Sequence, residues 1–533
     1  MCIRDSLGSA LGDLVKMTEG VYVGARRSAS GSDIIYHALF VILLATSVAR
    51  TLRHAMWRDE LQIFQLGRAS GSLADLFHHL RYEAHGSLWD VMVWLVTRVS
   101  TDPAAMQMMQ AGLAAAVWLA VYRWSPFSRA EKLLLLAGYF LFFEYFVISR
   151  SYTLAALLGF GFVAIRQRAP ERSIAAWLLL GLLANLVMHA TIWSIALAVV
   201  FVLEQRRRDT AFCAGGAIYL GFLAFGIWTM IPVADYAPWG SDVHFSWQRL
   251  YNAVAIPVGA LVPVDPDRIA ALVRFLTGAG DAAPAFWNPT AVVWVVSVAQ
   301  ANLDHPLRLA LAFAAPVLLC WLIVRRPLRL MEFTLTYVGI VAFATLWDFA
   351  GSAHHHGILL LALIATAWTA RARDGSDGWS AWALRLVLIV GAAGGMLSLT
   401  SEARPFSQGR NASRWLVENR LADAFLIGSR DAQVSSVAGY LGRPLYYLEC
   451  QCNGTFIIWN GARQSPLSNE QFRTRLSRAL ELAAGRTAIL IHNRPLAPDE
   501  LPAELTARPP ELLKSFTGAE TDENFWIYRV RRP

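Results

Sequence analysis

Between Ile34 and Arg50 the chain reads Ile-Ile-Tyr-His-Ala-Leu-Phe-Val-Ile-Leu-Leu-Ala-Thr-Ser-Val-Ala-Arg, and just beyond it turns to Trp57-Arg58-Asp59-Glu60-Leu61-Gln62. The first stretch has the length and apolarity that a bilayer selects in a spanning helix, about 20 mostly apolar residues. The second sets two carboxylates and an arginine directly after it, with a tryptophan suited to a membrane interface. Runs like the first recur as far as Leu399 and then stop. They lie at 34–50, 104–122, 132–148, 151–165, 174–188, 191–203, 211–231, 306–324, 331–348, 356–371 and 381–399. Composition agrees: of 533 residues 56% are hydrophobic and 16% charged, and the mean hydropathy of +0.40 is too high for a soluble globular chain.

The basic residues orient these runs. Arg123, Arg129 and Lys132 share one connection, Arg166, Arg168 and Arg172 another, then Arg206 to Arg208, Arg325, Arg326 and Arg329, and Arg371 with Arg373. Every second connection is therefore basic, which the positive-inside rule places in the cytoplasm. The net charge of +8 is explained by these loops, so nucleic acid is not expected as a partner. The alternate connections, around Ser149 to Ser151, His189 to Ala190, Pro232 to His305 and Asp348 to His355, then face outward, as does everything after residue 399. Ser87 to Val99 is too short to span and carries Asp90 and Arg98, so it is expected flat on the outer surface as an amphipathic helix. Segments 247–264 and 284–301 are either two further crossings or none.

The expected fold class is a polytopic α-helical membrane protein with about 11–13 transmembrane helices and a small C-terminal α/β soluble domain. Residues 1–33 form a cytoplasmic, partly disordered leader without the apolar core of a signal peptide, and Met1 to Ser6 reads as a cloning remnant. The membrane domain covers 34–399, with a first outer loop at 51–103 and a large one at 232–305, and the outer domain covers 400–533. In that domain Ala424 to Ile427, Pro444 to Leu448, Phe456 to Trp459, Ala488 to His492 and Phe525 to Val530 read as strands, and Ser468 to Ala484 as a helix. No glycine-rich nucleotide fingerprint occurs there, which favours a structural or acceptor-facing role. Five cysteines are too few for a disulfide framework. Cys450-Gln-Cys452 is a close pair, but with no His or further Cys near it a redox or metal role is the weaker reading.

The first outer loop concentrates the chemistry. Asp59 and Glu60 lie beside Arg58, and Arg81-Tyr82-Glu83-Ala84-His85 follows a helical stretch. Acidic pairs in outer loops are usually just solvated. Near lipid headgroups, however, a carboxylate can take the proton of an attacking hydroxyl or hold a divalent cation, and arginine can stabilise a departing phosphate. Neighbouring side chains diverge, so Asp59 and Glu60 are not expected to share a task. The loop's Arg53, Arg58, Arg68, Arg81 and Arg98 break the charge rule, which phosphate binding or simple headgroup contact would explain equally well. His354-His355-His356 cannot all ligate one ion from a helix and suits substrate or phosphate contact better, with Asp348 as a neighbour.

This order of features resembles the GT-C glycosyltransferases, and most nearly glycosyltransferase family 39, which includes protein O-mannosyltransferases and lipid A aminoarabinose transferases. The resemblance covers residues 30–205 in feature order and the later spans in architecture alone. It implies that Asp59, with Glu60 beside it, is catalytic as general base or metal ligand, Asp59 being the ligand of any divalent metal cation. Ser149-Arg150-Ser151-Tyr152 resembles the family's second outer loop. The acidic residue usual there is missing, and Glu144, one helical turn inside span three, is positioned to replace it. His85 matches a His-Pro motif in which Gly86 stands for the proline. Substrate contacts are then expected from Arg58, Arg81, Glu83, His85, Glu144, Arg150, Tyr152, His189, His354 and His355. The implied activity is transfer of a sugar from a polyprenyl-phosphate donor to an extracytoplasmic acceptor, whether lipid, glycan or protein, in a bacterial inner membrane. Three other readings stand beside it: a ligase or polymerase of polyprenyl-linked glycans built around the long loop 232–305, a lipid or sugar transporter, and a non-catalytic relative that uses the fold for assembly. A transporter would hold its charges near the bilayer midplane, whereas here they gather at span ends.

Overall fold

The computed structural model describes residues 31–205, 208–236, 245–261, 263, 306–347, 351–375, 378–502, 505 and 508–531. Most of the leader, most of the long loop with segment 284–301, and Asp348 lie outside these residues. The chain divides into two units at Ile42 and Leu43. The described part of the first is the N-terminal portion of helix α1 (Gly31–Arg53). All that follows belongs to the second.

Behind α1 come α2 (Arg58–Ala69), α3 (Leu73–Leu80) and α4 (Leu88–Val99), then α5 (Ala104–Trp124), α6 (Arg129–Leu136), α7 (Tyr152–Arg168), α8 (Ser173–Leu183), α9 (Met188–Glu204), α10 (Thr210–Met230) and α11 (Trp247–Leu261). After the long loop follow α12 (Pro306–Val324), α13 (Pro327–Leu346), α14 (Ala353–Asp374) and α15 (Gly378–Leu397). Among the described residues five helices are long and apolar enough to cross a membrane, namely α1, α5, α10, α13 and the one beginning at Gly378; Ser173–Leu183, Met188–Glu204 and Phe313–Val324 are apolar but shorter. Their exposed surfaces are greasy: Leu220 and Trp228 on α10 are each 62% exposed, as a lipid-facing helix requires.

The expected helix at 132–148 breaks. α6 stops at Ala137, and Phe140–Glu144 continue as a π-helical turn. Close packing is the reason: a Cβ at Gly395 of α15 would fall 1.9 Å from the Ala137 carbonyl oxygen. The crossing is too tight for a regular helix to pass carrying six bulky aromatics between Tyr139 and Phe146.

Charged groups sort to the helix ends. At the C-terminal ends of α7, α9 and α14, Arg166 and Arg373 reach Glu204 at 3.4 and 2.8 Å, and Arg329 at the start of α13 also pairs with it. Glu131 of α6 is held by Arg371 and Arg385 at 2.5 and 3.1 Å. Burial raises the pKa of the Glu131 carboxyl, but Ser128 and Arg371 outweigh it and hold it below the usual range. The N-terminal ends of α7, α9 and α14 carry the residues described below.

The C-terminal domain is a mixed sheet in the order β3-β2-β1-β4-β6-β5. Its elements are α16 (Gly409–Glu418), β1 (Phe425–Ser429), α17 (Asp431–Leu441), β2 (Leu445–Tyr447), β3 (Cys452–Gly454), α18 (Asn469–Ala483), β4 (Ala488–His492), β5 (Glu511–Phe516) and β6 (Phe525–Val530). β1 runs parallel to β2 and β4, and the outer pairings are antiparallel. Alternate residues serve two cores. Leu426, Ile489 and Ile527 face α16 and α17, while Ile427, Leu490 and Tyr528 face α18.

One expectation is corrected here, and two features are added to it. Phe456 to Trp459 is not a strand but an irregular segment, and the sheet edge is instead Cys452–Gly454. β5 was not expected, because on an exposed edge its burial gives no alternating signal and its register shifts between Leu512 and Lys514. Cys450 and Cys452 are joined in a disulfide that closes the β2–β3 hairpin. Cys213 and Cys320 are free.

Candidate active site

α2 starts where Glu60, its third residue, reaches back so that its Oε2 accepts from the Trp57 amide at 3.3 Å. The same carboxylate takes His54 Nε2 at 2.8 Å and, through Oε1, the Ser149 amide at 2.6 Å. Glu60 is 1% exposed. It therefore fastens α2 to the α1 end and to the second outer loop, and it does not line the cavity described next. The helical step of ~100° turns Asp59 the other way, together with Gln62 and Ile63 one turn on.

These three line a cavity of about 280 Å3 that also receives Arg58, Glu83, His85, Arg150, Tyr152, His189 and His355. Residues from five separate stretches thus converge. Arg150 NH1 donates to Asp59 Oδ2 at 3.1 Å and lies 3.0 Å from His354 Nε2. A guanidinium can only donate, so Nε2 of His354 accepts and the ring carries its proton on Nδ1, toward Ser352 Oγ at 3.0 Å and Glu144 Oε1 at 3.6 Å. Glu144 takes the Tyr139 hydroxyl at 2.7 Å. Glu144 and His354, both expected at the substrate, form a layer behind Arg150. Arg81 is exposed and outside the cavity, and of the five outer-loop arginines only Arg58 lines it. Arg98, for example, is used on the Gly67 carbonyl at 2.8 Å.

The imidazoles spread as the helix demands. His355 faces the cavity, with its ring centroid 5.4 Å from that of His189, while His356 packs behind against His189 at 5.2 Å. Tyr152, stacked on Tyr145 with 5.2 Å between centroids, presents its ring beneath Arg150. Val187, Met188 and Phe343 complete this side, at the ends of α9 and α13. Along the helical bundle the cavity mixes Val187, Met188 and Phe343 with Arg150, Tyr152, His189 and His355, and along α2 it carries Arg58 and Asp59.

The loop holding Glu83 and His85 turns at Ala84, with φ +54°, and locks at Gly86, whose amide donates to the Leu186 carbonyl at 2.6 Å. Burial pushes the Glu83 carboxyl up to about 7, although His85 and the Gln62 amide, 2.7 Å away, oppose the shift. Burial works against the His85 imidazolium, but Asp90 at 3.4 Å and then Glu83 outweigh it and lift its pKa to about 9. Asp90 is 1% exposed beneath His85. The signal that could have found it was in the sequence, an acidic residue inside the apolar run 87–99.

The C-terminal domain closes the remaining side. Arg58 donates through NH1 to Asp522 Oδ1 at 2.6 Å, and its amide, left over at the start of α2, donates to Glu523 Oε1 at 2.8 Å. Burial raises the Glu523 carboxyl to about 7 against the pull of Arg58. Gln62 Nε2 donates to the Ile457 carbonyl at 2.7 Å and its Oε1 accepts the Ile457 amide at 3.0 Å. Ala432, Ser435, Ile457 and Trp459 form the wall. None of these contacts was legible from local sequence.

As a metal site the arrangement does not fit. Asp59 has Arg58 Nε at 3.7 Å and Arg150 at 3.1 Å, so a divalent ion there would meet two positive charges. Among the described residues no group of three His, Cys, Asp or Glu is placed to hold one. In comparison with known proteins, no family model, no curated protein and no solved structure matches the chain.

Proposed function

We propose that this chain is a GT-C-like membrane glycosyltransferase that moves a sugar from a polyprenyl-phosphate donor to an acceptor outside the cytoplasm. The supporting observation is the meeting of Asp59, Arg58 and Arg150 at the wall of a cavity that also receives Val187, Met188 and Phe343 at the helix ends. Asp59, 33% exposed, takes the proton of the acceptor hydroxyl as its oxygen attacks the anomeric carbon. The bond to the phosphate breaks, and the electron pair leaves with a phosphate neutralised by Arg150 and Arg58. One direct displacement inverts the anomeric configuration. The isoprenoid tail lies against Val187, Met188 and Phe343.

In this reading 11–13 helices cross a bacterial inner membrane, with membrane lipids around them. The arginine-rich ends of α7, α9 and α14 are cytoplasmic and the C-terminal domain is extracytoplasmic, where a disulfide such as Cys450–Cys452 persists. Arg81 offers a direct check, being exposed and outside the cavity. Arg81→Cys in a Cys2→Ser, Cys213→Ser, Cys320→Ala background is expected to react in intact cells with a membrane-impermeant maleimide. Labelling that appears only after the cells are broken would overturn the orientation.

Activity is tested by incubating the purified full chain with polyprenyl-phosphate sugars labelled in the sugar and with lipid, glycan and peptide acceptors. Label is expected in an acceptor with and without chelator. Label that crosses a proteoliposome still joined to its carrier would instead mark a transporter. The cavity charges make a further prediction. Glu83 gains its negative charge as pH rises through about 7, and His85 loses its positive charge through about 9. Affinity for the donor, a phosphodiester that does not titrate in this range, is expected to weaken in two steps of roughly fivefold each. Glu83→Gln removes the lower step, and an unchanged profile in that variant would contradict the assignment.

A further inference from the structure

The segment at Phe456 to Trp459 has the composition of a strand and is not one. Instead it is pinned from two directions. Gln62 of α2 grips both polar groups of the Ile457 backbone, at 2.7 and 3.0 Å. At the other end Asn460 forms an isolated bridge with Tyr236, in the stretch after α10. Backbone polar groups withheld from the sheet are thus met by the helical part of the molecule, and between the two fastenings lie Ile458, which is exposed, and Trp459.

Trp459 is half-buried and lines the cavity. Part of it packs on the core of the sheet, and the Arg463 guanidinium lies over its ring at 4.6 Å. Arg463 is itself immobilised, donating through Nε and NH2 to the two oxygens of Asp431 at 2.6 Å each, with Asp431 1% exposed. An indole backed in this way has lost its rotamer freedom before any ligand arrives, so little entropy remains to be lost on binding. The same wall holds Ser435, and the neighbouring side of the cavity carries Asp59, Glu83 and Arg58. This end of the cavity therefore pairs an aromatic ring with hydrogen-bonding groups of both kinds. A pyranose ring, with C–H bonds on one face and hydroxyls around its rim, needs that combination; a prenyl or acyl chain would leave the polar groups unpaired.

We propose that the C-terminal domain supplies a sugar-ring platform, Trp459 stiffened by Arg463 and Asp431, at the charged end of the cavity. This deepens the glycosyltransferase reading and rests on it for the origin of the sugar, which belongs either to the donor or to a carbohydrate acceptor. The shared chemistry is a hexopyranose or pentopyranose ring stacked on the indole.

The test is saturation-transfer NMR on the detergent-solubilised full chain with methyl hexopyranosides and methyl pentopyranosides as probes. The wild type is expected to saturate the ring C–H protons of at least one probe. Trp459→Phe, which keeps an aromatic face, is expected to bind it within about threefold. Trp459→Leu, which keeps an apolar side chain against the sheet core but has no flat face, is expected to weaken it about tenfold. Unchanged melting of both variants separates this loss from misfolding. With a polyprenyl-phosphate sugar bound beforehand, displacement of the probe assigns the platform to the donor sugar, and simultaneous binding assigns it to the acceptor. Absence of saturation in the wild type, or Leu binding as well as Trp, overturns the platform. Probe binding to a chain that transfers no sugar from any polyprenyl donor would leave the platform standing and remove the transferase reading.

Discussion

Asp59→Asn is expected to lower the turnover of sugar transfer by about 10^3-fold while leaving the melting temperature of the purified protein within a few degrees of wild type. The substitution keeps the shape of the side chain and leaves an oxygen for Arg150 NH1, now 3.1 Å from the carboxylate. What it removes is the capacity to take a proton. It also removes a negative charge from a cavity that, on the proposed function, accepts a phosphate, so donor affinity is expected to rise by roughly two- to fivefold as turnover falls. These opposite signs separate a chemical role from a structural one, since a damaged cavity would lose both. Turnover of the variant within tenfold of wild type, measured as label transferred from a polyprenyl-phosphate sugar, would end the assignment. Glu60→Gln makes the contrast. Glu60 accepts from His54, Trp57 and Ser149, so its loss acts through the seating of α2.

Gly86→Ala is expected to be the most damaging small substitution in the outer loop. A Cβ there would fall 2.4 Å from the Asn185 carbonyl carbon and 2.5 Å from the oxygens of Asn185 and Leu186. All three are backbone atoms, which no rotamer change can clear. The Gly86 amide is also bound to Leu186 O, and the Leu88 amide to Asn185 O at 3.0 Å, so the loop cannot slide without giving up both bonds. The expected cost is about 2–4 kcal/mol. It should appear as a fall in melting temperature together with loss of the pH-dependent donor binding, because Glu83 and His85 ride on this loop. Proline, the residue that the resemblance leads one to expect here, would add the loss of the amide donor. A Gly86→Ala protein that melts and binds like wild type would show that the close approach of loop and bundle is not kept in solution.

Much of the helical architecture was legible because its signal is local. Apolar run length and arginine placement suffice for α5, α10 and α13, whose bounds fall within a few residues of the runs read from sequence. The break after α6 was not, because it depends on Gly395, far along the chain, lying against Ala137. In the sheet, β4 and β6 carry the β-branched and aromatic pattern of central strands and were found at their true limits. Cys452–Gly454 has no strand propensity and pairs because the hairpin brings it to β2. For the site, residue type and loop position named Arg58, Asp59, Glu83, His85, Arg150, Tyr152, His189 and His355 of the lining but not the rest of it, and side-chain geometry could say only that Asp59 and Glu60 diverge, not which of them turns inward. Gln62, Asp522 and Glu523 escaped notice because their partners are hundreds of residues distant, and an amide or carboxylate on a polar surface carries no sign of being matched.

The double grip of Gln62 on Ile457, with the ion pair from Arg58 to Asp522, bears on how large substrates reach the chemistry. A domain tied at two points to the very helix that bears Asp59 is poorly suited to swing aside as a gate, since each opening would dismantle the centre it uncovers. On the function proposed above, a long hydrocarbon carrier is then expected to enter and leave sideways, past the tips of α9 and α13, under a roof that stays shut.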